Sequence, residues 1–228
     1  MKTLLKLFIS ITLLFCFISG CTTNVPLNPQ FLEEENKVVG IALADFPSAA
    51  AHKSGAAGVM DILINEALAI PLQQYLNQYD ISMFSEIKSK MQPGLESMGM
   101  NVIQIDDFIN VNELPETEDS NDADYTGLGE KYNIDYLLLI SIRKVGTVRD
   151  YVMGIIPKGS PDAICQATGQ LINLDSNEIY WEYNMDEDES VVEPERPWNT
   201  PPDYENLGIA LNKAILNTIN NLENTFIQ

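Results

Sequence analysis

The chain has 228 residues, and its 33 acidic residues against 13 basic ones give a formal net charge of −20. A surface this acidic repels nucleic acid, because nucleic-acid binding requires cations that neutralise phosphates. It should also repel anionic lipid surfaces. With one histidine and three cysteines, the chain has few of the side chains that act as nucleophile and base. Composition therefore disfavours a nucleic-acid-binding protein and limits catalysis.

The first twenty residues have the layout of a secretory signal. Two lysines flank the start of an apolar run from Leu4 to Phe17. That run is shorter than the ~20 residues of a membrane-spanning helix, and it is typical of a signal peptide. The stretch Ile18-Ser19-Gly20-Cys21 follows. It resembles the bacterial lipobox, with Ile18 in the place of the usual leucine.

The resemblance implies that residues 1–20 are removed and that Cys21 becomes the first residue, with diacylglycerol on its sulfur and an acyl chain such as palmitate on its amine. Thr22 follows instead of aspartate. By resemblance to enteric lipoproteins, this implies the outer membrane. The alternative is an ordinary signal peptide with Cys21 free or bridged to Cys165. If Cys21 is lipidated, Cys165 has no partner for an internal disulfide.

The lipidated chain is expected to consist of a tether and one domain. Residues 21–36 contain two prolines, polar residues and an acidic end, which favour a tether that lifts the domain off the membrane. Residues 37–228 are expected to form a single domain on the periplasmic side. That domain opens with an apolar run at 37–46 that predicts a buried strand. Residues 47–58 are small, polar and glycine-containing, and predict a loop.

Two helical stretches come next. Residues 59–79 have the composition of a helix that Pro71 interrupts. In residues 82–99, apolar side chains recur every three or four positions, which predicts a helix with one apolar face. Pro93-Gly94 is expected to bend or break this second helix, and Gly99 is placed to cap its C-terminal end.

The second half of the chain reads mainly as strands. A short strand is predicted at 101–105, and the acid-rich residues 113–124 predict a solvated loop. A short helix at about 126–132 leads into three consecutive strands joined by short turns, which predict an antiparallel meander. These three strands are placed at about 135–151, 162–174 and 178–185.

The chain ends with an acidic run and a long helix. Residues 186–195 form the second acidic run, and Thr200 is placed to cap the last helix. Apolar side chains line one face of that helix to about residue 224. The order of elements predicts an α+β fold, in which a mixed sheet with an antiparallel meander carries helices packed on one face.

Three segments carry a resemblance to a group of bacterial envelope proteins: KVVGIALADF, LGEKYNIDYLLLISI and ATGQLINLDSNEIYWEY. The group includes the amino-terminal domain of the Tol-Pal propeller protein, the periplasmic part of the curli secretion channel, and the outer-membrane lipoprotein activators of penicillin-binding proteins. The resemblance implies a non-catalytic assembly or docking domain in the cell envelope. It transfers no functional residue.

Two candidate chemical sites are weak. Cys165 and His52 could act as nucleophile and base, but Cys165 lies in a predicted strand, and a lone cysteine is commonly a small buried hydrophobe. The acids at 119–124 could bind calcium, but the sixth position of an EF-hand loop requires glycine, and here it is Asp124. We therefore expect no catalytic residue, no metal site and no cofactor.

The hairpin between the first two meander strands is a better candidate. Residues 151–161 place Met153, Ile155, Ile156 and Lys158 near a turn, although loops normally face water with polar residues. This apolar turn either folds back onto the domain's own helices or contacts a partner. Four basic residues of the same region either pair with the acidic loops or meet an acidic partner: Arg143, Lys144, Arg149 and Lys158.

These observations predict a lipid-anchored envelope protein that acts by protein–protein contact as an accessory or assembly factor. Its partners are the membrane, through Cys21, and an unidentified envelope protein. The alternatives are a metal-assisted hydrolase and a lipoprotein that binds a small ligand between helices and sheet. The hydrolase lacks support, because no cluster of His, Asp and Glu stands at metal-ligand spacing.

Overall fold

A computed structural model describes residues 24–54, 66–117, 122–152, 156–199 and 204–227. They form an α+β fold around one seven-stranded mixed sheet. The strands are β1 (Val38–Ala44), β2 (Ala50–Lys53), β3 (Asn101–Ile109), β4 (Tyr136–Val152), β5 (Ile156–Asn173), β6 (Ile179–Asn184) and β7 (Val191–Val192). The fold class predicted from the sequence is confirmed.

The strand order is β3-β1-β4-β5-β6. β1 is parallel to both β3 and β4, whereas β4, β5 and β6 form the predicted antiparallel meander. The outer half of the long β4–β5 hairpin is flanked by the two short strands, with β2 beside β4 and β7 beside β5. The hairpin is therefore supported on both sides well beyond the centre of the sheet.

The helices are α1 (Pro29–Glu33), α2 (Glu66–Asn77), α3 (Glu86–Ser97), α4 (Gly127–Tyr132), α5 (Glu187–Ser190) and α6 (Glu205–Ile227). The three long helices, α2, α3 and α6, contribute to one large apolar core. The short helix α4 places Leu128 in a second cluster. Successive residues of β4, such as Leu137 and Leu138, belong to different clusters, because side chains alternate across a strand. The three long helices thus share one face, and α4 covers the other.

The proline-containing helices continue through their prolines. Helix α3 contains Pro93, and the residues near it, Met91 and Leu95, are both fully buried. Burial of this apolar face compensates for the hydrogen bond that proline cannot donate. Gly99 follows α3 with a φ of 84°, which suits glycine and confirms its predicted position at the C-terminal end.

The expected boundary between tether and domain is wrong for residues 24–36. Val25 and Glu182 of β6 exchange both backbone hydrogen bonds, at 2.8 and 2.9 Å. Asn28 caps α1 and also donates its backbone N–H to the carbonyl of Tyr180. Phe31 is fully buried and packs edge-on against Tyr136. The packed domain therefore begins by Asn24, because this segment covers the edge of β6 and contributes to the core.

Two further boundaries differ from those predicted. Part of the expected loop at 47–58 is β2, which pairs with β4 in parallel. β5 begins at Ile156, six residues before the predicted position. Both differences come from pairing with the outer half of β4, and strand pairing between distant segments leaves little trace in local composition.

Candidate functional site

The outer half of the β4–β5 hairpin is the region that the sequence indicated as a contact surface. Its two strands remain paired as far as Val152 and Ile156. Lys158 is exposed and lies opposite Asp150. Of the other candidate residues, Met153 and Ile155 lie outside the described residues, and the same holds for the side chain of Ile156.

A cavity of about 780 Å³ opens beside this part of the hairpin. Its wall includes five carboxylates and two basic side chains, and these charged residues are Asp150, Asp162, Glu187, Asp188, Glu193, Arg149 and Lys158. Burial raises the pKa of the Asp162 carboxyl, and the nearby negative charges of Glu193 and Asp150 raise it further. The cavity therefore has an excess of negative charge that a cationic group would relieve.

The basic residues of the hairpin have different partners. Lys144 forms an ion pair of 3.1 Å with Glu187, and both side chains are largely shielded from solvent. Arg143 donates to the backbone carbonyl of Met185. Arg149 donates to the carbonyl of Gly159, while its Nε is buried and has no hydrogen-bond partner among the described residues. For Lys144, this supports the expectation that hairpin cations pair with an acidic run.

Cys165 is a core residue. Its side chain is fully buried in the large apolar cluster, and burial raises the pKa of its thiol to about 12. The hydroxyl of Thr218, on α6, donates to the Cys165 carbonyl and ties the helix to β5. A thiol that stays protonated in an apolar interior is a poor nucleophile.

His52 is also buried, on β2. Its Nε2 lies 3.1 Å from the carbonyl of Val145, and its Nδ1 is buried without a hydrogen-bond partner among the described residues. Burial lowers the pKa of its imidazole. Val145 is the residue opposite Cys165 in the β4–β5 pairing, so the fold brings His52 and Cys165 to one region of the sheet. Both side chains are buried there, and this arrangement offers no accessible nucleophile.

The first acidic loop is only partly described. A bridge between Glu116 and Ala123 closes it, and the Asp124 carboxylate accepts two hydrogen bonds from Thr126, while residues 118–121 lie outside the described residues. Within the described ranges, no three His, Cys, Asp or Glu side chains are grouped to hold a metal ion. In those same ranges, no helix combines the length and apolar character needed to cross a bilayer.

Sequence reasoning missed the packed N-terminal segment and most of the cavity wall. Ser54, Asp162 and Glu193 line the cavity, but they belong to three segments that only the folded sheet brings together. The signal available for the N-terminal segment was Phe31 with Leu32, an adjacent apolar pair followed by three glutamates.

Comparison with known proteins gives a limited result. No family model matches the chain. No curated protein matches it. Among solved structures it is similar to a lipoprotein from Neisseria meningitidis, with 12% identity, coverage of 81% of this chain and 99% of that one, and a TM-score of 0.32.

Two other solved structures are also similar to this chain, again with low sequence identity and low TM-scores. A protein from Xanthomonas campestris has 12% identity, covers 89% of each chain and gives a TM-score of 0.39. The LpoB C-terminal domain from Salmonella enterica has 9% identity, covers 72% of this chain and 91% of that one, and gives a TM-score of 0.21. These scores are too low to carry a role from those proteins to this chain.

Proposed function

We propose that this protein is a lipid-anchored component of the bacterial cell envelope, attached to the outer membrane through Cys21. The observation that carries the proposal is the signal-like segment that ends in Ile18-Ser19-Gly20-Cys21. Several acyl chains on one residue hold a protein at a bilayer far more firmly than a single chain does. The domain then works on the periplasmic side.

The anchor is tested by replacing its cysteine. Cys21→Ser should abolish incorporation of a fatty-acid analogue and leave the precursor uncleaved by the lipoprotein peptidase. Cys16→Ser is the matched control, because Cys16 lies within the segment that is removed. Equal labelling of the Cys21→Ser protein and the native protein would refute the lipid anchor.

For the domain itself, we propose contact with another envelope protein, as an accessory or assembly factor, and no catalysis. Burial of Cys165 and His52 supports this, because neither side chain is presented to a substrate. The hairpin supports it as well, since its two strands stay paired as far as Val152 and Ile156 and the sequence between them is apolar.

A double substitution tests the hairpin contact. Ile155→Asp with Ile156→Asp should leave the melting temperature almost unchanged if both side chains face a partner, because exposed substitutions usually change stability by no more than ~0.5 kcal/mol. It should abolish crosslinking of the native partner in the membrane. The matched control is Ile209→Asp with Leu216→Asp, two exposed apolar residues of α6. A large fall in melting temperature for the hairpin variant would show that these isoleucines pack inside the domain.

A second candidate function is binding of a small cationic ligand, which the cavity beside the hairpin favours. The carboxylates around Asp162 would be its receptor. Spermidine is a suitable probe: it should raise the melting temperature of the native protein and raise that of the Asp162→Asn, Glu193→Gln variant less. An equal rise in both proteins would assign the effect to general charge screening and remove this candidate.

A further inference from the structure

The cavity beside the hairpin lies on the face of the sheet opposite the three long helices. Val148 and Asp162 are partners in the β4–β5 pairing, and both line the cavity. Cys165, three residues further along β5, belongs to the large apolar core that those helices cover. Because side chains alternate along a strand, Asp162 points to the other face. The floor of the cavity is therefore the side of the hairpin that the long helices leave uncovered.

Unpartnered polar atoms mark this region. Among the described residues, two buried side-chain atoms lack a hydrogen-bond partner. One is Nε of Arg149, a residue of the cavity wall. The other is Nδ1 of His52, which lies beside Val148 in the β2–β4 pairing, two residues before Ser54 of the wall. Buried polar groups in native proteins are nearly always hydrogen-bonded, so the occurrence of both atoms at one cavity points to a polar ligand.

The charges of the wall are unevenly distributed along the hairpin. Towards the end of the strand pairing, the Arg149 guanidinium donates to the carbonyl of Gly159. Lys158 adds a second cation there, opposite the carboxylate of Asp150. Towards the body of the domain, four carboxylates line the wall, and these belong to Asp162, Glu187, Asp188 and Glu193. The cavity thus has an end with an excess of positive charge and an end with an excess of negative charge.

The spacing of the two ends matches a small peptide. Three residue steps separate Gly159, which Arg149 contacts, from Asp162, and this is at most about 10 Å along a strand. In an extended tripeptide, the free amino group and the free carboxylate lie about 10 Å apart. The cavity volume of about 780 Å³ is within the range of natural ligand pockets and has room for such a molecule.

We propose that this cavity binds a short peptide with free ends, with its ammonium group at Asp162 and Glu193 and its carboxylate at Arg149. The proposal rests on the second candidate function, the binding of a cationic group, and adds the carboxylate and the spacing. Arginine suits the carboxylate, because its guanidinium presents several donors in one plane. A polyamine would leave that guanidinium without an anion.

Three probes separate pairing at both ends from plain attraction to an acidic cavity. Tri-alanine, tri-alanine amide and N-acetyl tri-alanine are titrated into the native protein in detergent by calorimetry at neutral pH. The amide carries one more net positive charge than tri-alanine, so plain attraction to carboxylates would make it bind more tightly. If Arg149 receives the carboxylate, the amide should instead bind about tenfold more weakly, because it loses a hydrogen bond between charged groups. The acetylated peptide should bind more weakly by a similar factor.

Substitutions assign the two ends. Arg149→Gln should remove the preference for the free carboxylate, and Asp162→Asn with Glu193→Gln should remove the preference for the free amine. Arg143→Gln is the matched control, because Arg143 lies on the same strand and donates to the carbonyl of Met185 but does not line the cavity. Thermal melting shows whether each variant is folded. The comparison of the three probes on the native protein does not depend on any variant.

Spermidine distinguishes failure of this proposal from failure of the second candidate function. If spermidine stabilises the protein but the amide binds as tightly as tri-alanine or more tightly, the carboxylate site is refuted and the cation-binding cavity stands. If neither spermidine nor any of the peptides binds, both fall. An Arg149→Gln variant that is folded and keeps the full preference for the free carboxylate would overturn the role of Arg149.

Discussion

The environment of single residues decides which of them can take part in chemistry. Cys165 and His52 were the only pair that the sequence offered as nucleophile and base. The structure buries both, and burial raises the pKa of the thiol and lowers that of the imidazole. Each side chain is therefore kept in its neutral form, which suits a core residue.

The Cys165 thiol should make stability depend on alkaline pH. Between its ordinary pKa of 9.0 and the raised value of about 12, the unfolded chain loses a proton that the native chain keeps. The unfolded state then binds fewer protons, so the free energy of unfolding falls as pH rises, by up to about 1.4 kcal/mol per pH unit. Urea unfolding of the soluble chain 24–228 at pH 9 to 11 measures this slope.

Cys165→Ala is the control for that slope. Tyr136 and Tyr183 also have raised pKa values and contribute in the same direction, but they are present in both proteins. The native chain should therefore lose stability with pH more steeply than the Cys165→Ala variant. Identical slopes would mean that the thiol is ionised or exposed in the native state.

His52 should titrate below its ordinary pKa of 6.5, because burial disfavours the imidazolium. It is the sole histidine of the chain, so its ring signals can be followed by NMR without assignment of others. Below pH 6.5 the imidazole of the unfolded chain binds a proton, whereas the buried imidazole of the native chain does not. The free energy of unfolding therefore falls as pH falls. A midpoint at or above 6.5 would contradict the buried position.

Local sequence pattern predicted those elements that carry their own periodicity. The face of α6 that includes Leu207, Leu211 and Leu222 is buried as expected. In β6 the expected alternation holds only from Trp181 onwards, since Ile179 is exposed and Tyr180 is buried where the pairing with β5 shifts register. β2 was missed, because its residues are small and polar enough for a loop. It becomes a strand by pairing with β4, where Gly146 leaves room for the backbone of Ala50.

Gly146→Ala should displace β2 from the sheet. Gly146 has a φ of 127°, and a Cβ there would lie 2.0 Å from the carbonyl oxygen of Ala50. The substitution therefore combines backbone strain with a backbone clash. Faster amide exchange at residues 50–53 and a lower melting temperature are expected. Gly127→Ala is the control, because nothing lies within 4 Å of its Cβ and alanine favours the helix that starts there.

Phe31 should contribute strongly to stability although it precedes the expected domain. Its side chain is fully buried, so Phe31→Ala should cost about 3–5 kcal/mol. Leu32→Ala is a matched control in the same helix, because Leu32 is 54% exposed and should cost little. Urea unfolding of both variants gives the comparison. Equal, small effects would show that α1 does not pack against the sheet in solution.

At the scale of the whole molecule, the sequence predicted the class and the meander but not where the domain begins. The N-terminal segment looked like a tether because its composition is polar and proline-containing. Its function as an edge cover depends on β6, which lies about 150 residues later in the chain. The cavity beside the hairpin was equally hidden, since its walls come from Ser54 just after β2, from β4 and β5, and from the segment after β6.

The length of chain needed for a stable domain follows from these contacts. A chain that starts at Lys37 lacks Phe31, the Asn28 bond to Tyr180 and the Val25 bonds to Glu182. It loses the burial of an aromatic ring and exposes the edge of β6, which can then pair with another chain.

Residues 37–228 should therefore melt at a lower temperature than residues 24–228. The fall in melting temperature should be larger than the fall that Phe31→Ala alone causes. The shorter chain should also self-associate, which light scattering detects. If the two chains melt at the same temperature and both stay monomeric, residues 24–36 are a tether after all.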